Sequence, residues 1–386
     1  MAFTVSGKYK LEISVNNKPL DSSKNILEEM IIHENIHQTL PTVDLVLVND
    51  SSLIESNPLL DGSLIDIDLT IFGSGAIKEE NLRLECVLWG YQAVELSEGI
   101  QITLNCVMSA PDFFNSKIES INGSSFEVFN LMADRSKMNL IADPSVDKQV
   151  WIRSGIRGSL WLNQVNNHSW SSPTSAFVHV VSRHRDLLRY NLDERSERKA
   201  AWIFQPERET FNAALTSDIV IYKYPQFKSN SGLLNSLFGY GRELSTFDVD
   251  QGETVKHAPS AFNKRTNFMN VNSNRETPQR HDLLGFGNSL NVHENYYLAY
   301  NQNTRLKSFY SVNIDVLSDF PRDVKILDRV TLQMNNEAAQ TTRKTYAGEY
   351  FVEKIATVVD TGNVIRRFSL VREGYNSEAQ VSTSAK

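Results

Sequence analysis

The sequence predicts a mainly β protein in which two antiparallel β modules, each a barrel or a sandwich, flank a small α/β domain. Three observations support this prediction. Apolar residues recur at every second position near both ends of the chain, as they do in half-buried strands. The two predicted helices lie in the middle of the chain. The two β-rich ends repeat the same order of strands and turns.

The composition limits the class of protein. The chain has 386 residues, 41% of them apolar, which is enough for two or three domains with cores of their own. No apolar run approaches the roughly 18 residues of a membrane-spanning helix, and the start lacks the basic and then apolar pattern of a secretory signal. We expect a soluble, multi-domain protein that is made inside the cell and has no membrane segment.

Charge and cysteine content exclude further classes. The chain has 39 Lys and Arg against 46 Asp and Glu, a net charge of −7, so tight phosphate-driven binding of nucleic acid is not expected. Two cysteines, Cys86 and Cys106, are too few for a disulfide framework or a multi-thiolate zinc module. They lie on the two arms of one predicted hairpin, where we expect them to be small buried apolar side chains.

Residues 1–115 are predicted to form the first β module. Turn-forming residues, among them Asp61-Gly62, separate its strands. The tripeptide Ser97-Glu98-Gly99 joins two strands, and glycine in its third place suits a three-residue hairpin with the left-handed position on Gly99. The strand-like segments are TVSGKYKLEISV, TVDLVLVND, SLIDIDLTIFG, LRLECVLWGYQAVEL and IQITLNCVMSA.

Residues 116–204 are predicted to form the α/β domain. Ser124 and Glu127 fit a capping box at the start of one helix, and a second helix is expected from near Ser159. The end of this domain has six basic residues against four acidic ones, which indicates a solvated face and not a nucleic-acid patch. These basic residues are Arg183, Arg185, Arg189, Arg195, Arg198 and Lys199.

The second β module is predicted from residues 205–227 and 299–376, where strand patterns return. Between these two stretches, residues 228–298 are rich in Asn, Ser and Gly and are predicted to be a loop-rich insertion. The polar tail, residues 377–386, is predicted to be unstructured.

The two β modules share a layout of turns. In each, a turn that contains aspartate leads into an alternating strand: Leu60-Asp61-Gly62 in the first module and Ile326-Leu327-Asp328 in the second. A long hairpin follows in each, with glycine in the third place of its turn, at Gly99 and Gly362. We expect a positive φ at both glycines, so valine at either position should impair folding or assembly.

With these features, the chain resembles the baseplate central hub protein of contractile-tailed bacteriophages and the corresponding N-terminal half of the type VI secretion spike protein. The matching features are the length, the two β modules, the helical segments within 124–137 and 151–170, and the C-terminal segment YAGEYFVEKIATVVDTGNVIRRFSLVREG. The resemblance covers most of residues 1–376. The oligonucleotide-binding-like domain and β-helix of the spike protein do not follow, so we expect the spike to be a separate chain.

This resemblance implies tube-like β modules and a homotrimer, in which six quasi-equivalent modules form a ring that adapts a six-fold tail tube to a three-fold spike. As partners it implies the spike protein, tail tube or tube-initiator proteins, baseplate wedge proteins and the tape measure protein. It implies a virion protein of the tail baseplate, assembled in the host cytoplasm, through which DNA passes without specific binding. An acidic lumen would repel the DNA phosphates. No cofactor and no catalytic residue is expected.

One alternative is a zinc-dependent metallopeptidase. The segment His33-Glu34-Asn35-Ile36-His37 satisfies H-E-x-x-H, in which two histidines on one face of a helix hold zinc and the glutamate is the general base. Against this reading, Pro41 and a strand follow the motif, and no third ligand is evident. We therefore expect no metal at His33 and His37, and a polar stretch of strand or loop instead.

The other alternative is a carbohydrate-binding tail module, because four tryptophans cluster in residues 151–202. Core packing is favoured, since Trp is usually well buried and three of the four lie on or beside a predicted amphipathic helix. No G-x-S-x-G nucleophile motif and no Walker A motif occurs in the sequence. The four residues are Trp151, Trp161, Trp170 and Trp202.

Overall fold

The structure, a computed structural model, is described for most of the two β modules and the α/β domain. The described residues are 4–5, 8–21, 25–49, 59–73, 79–97, 99–172, 175–207, 218–229, 312–319, 322–334 and 346–372, with short strands between 242 and 283, Leu306 and Tyr375–Asn376. Strands predominate, so the predicted fold class is confirmed.

The first β module consists of strands β1 (Thr4–Val5), β2 (Tyr9–Val15), β3 (Lys18–Pro19), β4 (Asn25–Asn35), β5 (Thr42–Asn49), β6 (Leu64–Ile71), β7 (Glu80–Leu96) and β8 (Gly99–Met108). Side chains in β2, β5 and β6 alternate between the core and the opposite face, which is why period-two apolar residues predict them. The strands pair in the order β1–β2–β6–β7–β8–β5–β4, and β3 pairs with β2.

The α/β domain follows, with α1 (Pro111–Phe114), β9 (Ser116–Gly123), α2 (Ser125–Arg135), β10 (Asn139–Ala142), β11 (Gln149–Arg157), α3 (Gly158–Asn167), β12 (Phe177–Val181), β13 (Asp186–Asn191) and α4 (Leu192–Arg195). The predicted capping box is confirmed: Glu127 N donates to Ser124 Oγ at 3.4 Å, and Ser124 N donates to Glu127 Oε2 at 2.6 Å. Among the described helices, none is long and apolar enough to cross a membrane.

The remaining strands are β14 (Trp202–Pro206), β15 (Ile219–Ser229), β16 (Arg242–Asp248), β17 (Glu253–His257), β18 (Phe268–Met269), β19 (Arg280–Leu283), β20 (Val312–Ser318), β21 (Arg329–Leu332), β22 (Gly348–Asp360), β23 (Val364–Arg372) and β24 (Tyr375–Asn376). Six of them close the barrel of the second β module in the order β14–β21–β22–β23–β20–β15, and β15 pairs back onto β14. The barrel core includes Phe204 and Phe368, whose rings meet edge to face at 5.2 Å.

Several predictions lie largely or wholly outside the described residues. Within the predicted insertion 228–298, the structure describes only the end of β15 and the short strands β16, β17, β18 and β19. The tail 377–386 is not among the described residues. The domain boundaries therefore stay predictions.

The predicted solvated face at the end of the α/β domain is wrong for two of its arginines. Arg183 and Arg189 are 0% exposed. Arg189 lies on β13, the middle strand of the sheet β10–β13–β12, and its guanidinium stacks on Phe177 with its centre 4.0 Å from the ring centroid. It donates to Ser125 Oγ at 2.7 Å, and burial lowers its pKa to about 10. Counting charges along the chain does not reveal this burial, because the contacts come from distant segments.

Candidate assembly interface

The turns before β6 and β21 have the same hydrogen bonds. Ser63 N donates to Leu60 O at 2.9 Å, and Asp328 N donates to Lys325 O at 3.1 Å. The side chains also act alike, since Leu60 N donates to Ser63 Oγ at 3.2 Å and Lys325 N donates to Asp328 Oδ2 at 2.8 Å. Burial raises the pKa of Asp328, against the hydrogen bonds that it accepts from Lys325 N and Trp202 Nε1. The two turns are structurally equivalent.

The equivalence extends to the backbone and corrects the sequence comparison. The residue before Ser63 and the residue before Asp328 both have a left-handed conformation, with φ of +88° at Gly62 and +67° at Leu327. Asp61 therefore corresponds to Ile326 and not to Asp328, so the aspartates of the two turns are not equivalent. A leucine in this backbone region is uncommon, which is why the sequence does not show the match.

The same bulge follows in the long hairpin of each module. Leu88 in β7 exchanges two backbone hydrogen bonds with the first turn, and Val352 in β22 exchanges two with the second, all at 2.8–3.0 Å. The next residue in each strand, Trp89 or Glu353, falls at a register shift against the hairpin partner. Strands β7 and β22 are therefore equivalent, as are β8 and β23.

A cross-strand ion pair completes the repeat. Asp44 on β5 lies opposite Asn105 of β8, and Asp315 on β20 lies opposite Ser369 of β23. Asn105 and Ser369 are equivalent, because each is the hairpin partner of the residue that follows the bulge. His33 Nε2 lies 3.2 Å from Asp44 Oδ2, and Lys228 Nζ contacts Asp315 Oδ2 in the same way. His33 is on β4 and Lys228 is on β15, so these two strands are equivalent as well.

The two modules of one chain are joined edge to edge. Strand β4 of the first module pairs antiparallel with β22 of the second over seven residue pairs, from Lys354 opposite Asn35 to Asp360 opposite Glu29. A single sheet therefore runs from one module into the next. We call this pairing the β4·β22 junction.

The equivalent edge of the first module is open. Residues 90–96 of β7 correspond to the part of β22 that pairs with β4, yet β8 is their one partner strand among the described residues. Apolar side chains on this edge are exposed, with Tyr91 at 42%, Val94 at 54% and Leu96 at 46%. An exposed strand edge of this kind is a template for pairing with another chain.

The matching open edge is on the second module. Residues 223–229 of β15 pair with β20, and within the described part of the chain no strand covers their other side. Tyr224 is 75% exposed and Phe227 is 41% exposed. Since β15 is equivalent to β4, this edge corresponds to the one that β4 offers to β22. The chain thus has both halves of a second junction, and they do not pair with each other among the described residues.

A buried ionic cluster beside the β4·β22 junction connects the two modules with the α/β domain. Arg183, from the α/β domain, pairs with Glu34 at 2.7 Å and with Glu80 at 3.1 Å, both on the first module. It also pairs with Asp323 of the second module at 2.6 Å, and Arg366 on β23 pairs with Glu80 at 2.6 Å. Burial opposes a charged Glu80, but the two guanidiniums hold the pKa of this carboxyl below its usual range.

The cluster also contains a histidine within reach of two carboxylates. His184 Nε2 lies 2.9 Å from Asp323 Oδ1 and 4.0 Å from Glu80 Oε1, a grouping whose donor atoms could hold a metal ion. Both carboxylates already bind the fully buried guanidinium of Arg183. A cation here would face that fixed positive charge, so the group is better suited to an ion-pair network.

The H-E-x-x-H motif does not form a helix. His33 and Glu34 lie on β4, so their side chains point to opposite faces, and His37 lies in the turn that follows. His33 contacts Asp44, and His37 Nε2 lies 2.9 Å from Glu353 Oε1. Glu34 is held by Arg183. The structure separates the two histidines, so it lacks the helical arrangement of His33 and His37 that a zinc-dependent metallopeptidase requires.

The two hairpin glycines differ. Gly99 has φ +143°, and it pairs with Leu96, so the loop is shorter than the predicted three residues. A Cβ at Gly99 would lie 2.5 Å from Asn49 O. The predicted positive φ at Gly362 is wrong. There Asp360 Oδ1 accepts hydrogen bonds from Gly362 N at 3.0 Å and from Asn363 N at 2.7 Å, and closes the turn without a left-handed glycine.

The tryptophans and cysteines lie mainly in the interior. Trp151 and Trp161 are buried, and Trp170 and Trp202 are half-buried, so the described structure has no exposed row of these four rings. Cys86 and Cys106 are buried free thiols on β7 and β8, and burial raises the pKa of Cys106 to about 12. The exposed tryptophan is instead Trp89, 64% exposed at the bulge of β7.

Sequence reasoning missed the ionic cluster and the two open edges. A signal for the edge was present in the segment WGYQAVEL, where apolar residues shift from one face of the strand to the other at Ala93-Val94 and strict alternation is lost. No comparable signal marks the cluster, because Glu34 and Arg183 are 149 residues apart.

Comparisons with known proteins locate the fold. No protein-family model and no curated protein sequence matches the chain. The 43 kDa tail protein of prophage MuSo2 from Shewanella oneidensis is similar in structure, with a TM-score of 0.62, 10% identity and coverage of 95% of this chain and 98% of that chain. The tail protein from Neisseria meningitidis MC58 has a TM-score of 0.59 and 8% identity, over 95% and 97% of the two chains.

A third similar structure is a chain of the half-lidded Francisella PdpA–VgrG complex, with a TM-score of 0.53 and 12% identity. The similarity covers 96% of this chain and 59% of that one. The protein thus has the fold of phage tail proteins and of part of this VgrG complex. The predicted resemblance to tail hub and spike-related proteins is confirmed at the level of the fold.

Proposed function

We propose that the protein is the central hub of a contractile phage-tail baseplate, built as a homotrimeric ring of six β modules. The observation that carries this proposal is the β4·β22 junction, which joins two equivalent modules and leaves the two equivalent edges open. The fold shared with the two tail proteins supports the assignment to a phage tail.

Ring closure follows from the two open edges. Residues 90–96 of one copy pair with residues 223–229 of the next, and this head-to-tail contact repeats until the ring closes. Three copies give three junctions within chains and three between chains, so six modules form one continuous inner sheet. A closed sheet has no exposed edge, which protects the hub from uncontrolled association.

In the proposed ring the protein acts mechanically. One face seats the spike protein, the other continues into the tail tube or tube-initiator proteins, and wedge proteins bind the periphery. The central opening holds the tape measure protein before ejection and passes DNA afterwards. The role requires no cofactor and no catalytic residue, and it places the protein in the baseplate of the virion.

The repeat predicts the register of the proposed junction between copies. In the β4·β22 junction, Ala356 lies opposite His33. The equivalents of these two residues are Gln92 and Lys228. Gln92 of one copy should therefore lie opposite Lys228 of the next, with both side chains on the same face of the sheet.

This register can be tested by disulfide cross-linking of the full chain. The double variant Gln92→Cys/Lys228→Cys is expected to give covalent trimers on a non-reducing gel after mild oxidation, because opposed residues of antiparallel strands lie within disulfide distance. The native Cys86 and Cys106 are buried and should not react. Sedimentation of the unmodified protein should give the mass of three chains.

Two matched variants control for proximity and register. Ala356→Cys/His33→Cys should cross-link within one chain and run as a monomer. Gln92→Cys/Phe227→Cys places the thiols on opposite faces and should not cross-link. Monomers from Gln92→Cys/Lys228→Cys, under conditions in which the control within the chain is fully oxidised, would contradict the proposed ring.

A further inference from the structure

A groove of about 780 Å³ lies over the β4·β22 junction, on the face of the sheet opposite the hydrophobic cores of the two modules. One wall consists of residues from β4 and β5, including Asn35 and Thr42. The other wall comes from β15 and β20, including Gln226 and Asp315. The small side chain of Ala356 lies in the floor, which leaves room at the centre.

The floor has two cations that are not neutralised. Lys354 and Arg367 are neighbours on β22 and β23, both exposed, and neither side chain has a hydrogen bond or ion pair with another described residue. The carboxylates of the walls are already engaged. Asp44 pairs with His33, and Asp315 pairs with Lys228 and accepts a hydrogen bond from Ser369 at 2.6 Å.

These two cations break the repeat. The equivalence of the hairpins matches Lys354 with Gly90 and Arg367 with Thr103. The corresponding surface of the first module therefore lacks both charges. A cationic floor is a property of the junction within the chain and occurs once per chain, although the modules occur twice.

We infer that this groove binds a carboxylate-bearing peptide segment of a partner protein, one segment per chain. The free cations suit acidic side chains. Amide and hydroxyl groups of Asn35, Gln38 and Thr42 can meet peptide N–H and C=O groups. Both wall carboxylates are already paired with basic side chains, so the acidic groups of the peptide meet the cations of the floor.

The site itself lies within one chain and does not depend on trimerisation. The number of sites in the assembly does rest on the proposed ring. There the groove would occur three times among six modules, so its occupant would follow three-fold and not six-fold symmetry. The groove thereby distinguishes a three-fold partner from a six-fold one.

Fluorescence anisotropy of a dye-labelled octaglutamate peptide at low ionic strength tests the site on the full chain, since exposed ion pairs are screened by salt. Saturable binding is expected, and Lys354→Gln/Arg367→Gln should weaken it by roughly tenfold, because it removes two exposed ion pairs. The control double variant Lys18→Gln/Lys148→Gln removes the same two positive charges at exposed lysines away from the groove and should bind as the unmodified protein does. Octaglutamine with the same dye should not bind.

Three results would overturn the inference. They are no saturable binding of octaglutamate, equal binding by the double variant and the unmodified protein, and tighter binding of an eight-nucleotide oligothymidylate with the same dependence on Lys354 and Arg367. The last would identify the groove as a contact for DNA. Sedimentation of the double variant separates this test from the proposed ring, since it should still give the mass of three chains.

Discussion

Arg183→Met is expected to destabilise the protein by about 3–5 kcal/mol, because it leaves buried carboxylates without their cation. Glu34 and Glu80 are 2% and 8% exposed. Arg366 still pairs with Glu80, but the one ion pair of Glu34 among the described residues is lost. The loss is a large part of the 5–15 kcal/mol that stabilises a typical folded protein. Urea unfolding followed by circular dichroism would measure it.

A nearby arginine provides the control. Arg185 is two residues away and pairs with Glu85 at 3.0 Å, where the carboxylate is half exposed. Arg185→Met should cost about 1 kcal/mol or less, since exposed ion pairs contribute little. Adding Glu34→Gln to Arg183→Met should recover part of the lost stability by removing the unpaired charge. Equal unfolding midpoints for the two methionine variants would show that the cluster does not stabilise the junction.

Gly99→Val is expected to be the second strongly destabilising change. The backbone at Gly99 has φ +143°, a region that is almost confined to glycine and costs other residues about 1–3 kcal/mol. The added Cβ would also meet Asn49 O at 2.5 Å, so the end of β5 has to move. We expect a lower melting temperature and less covalent trimer in the cross-linking assay, because this turn ends the open edge of β7.

Gly362→Val is the matched control, since Gly362 occupies the turn of the equivalent hairpin. No atom lies within 4 Å of a Cβ placed there, and its φ is not positive. We expect a change in melting temperature of at most a few degrees. Similar losses in both variants would mean that valine disturbs the hairpins in some way other than through the backbone conformation of Gly99.

Local signals in the sequence predicted much of the fold. Alternation identified the strands of the first module, and Ser124 with Glu127 marked the start of α2, because both patterns depend on residues within one element. The layout of turns and hairpins was sufficient to indicate two related modules. The resemblance to tail hub proteins came from this layout and not from residue identity, in keeping with identities of 8–12% to the similar structures.

The rest depends on contacts between distant segments. Arg183 is buried because Glu34, Glu80 and Asp323 converge on it from three parts of the chain. Leu327 adopts the left-handed conformation that Gly62 adopts in the other turn. The equivalence of the two turns is therefore visible in their hydrogen bonds and not in the amino-acid sequence. The groove was beyond prediction for the same reason, since its floor and walls come from both modules.

The β4·β22 junction has a consequence for how load is carried. Seven successive residue pairs hold the modules side by side, and their hydrogen bonds lie across the line of any sliding motion along the strands. Displacing one module along the strand axis requires all these bonds to break together, whereas a flexible linker would stretch at once. In the proposed ring, a junction of this kind would pass a push along the strands from one module to the next without slippage.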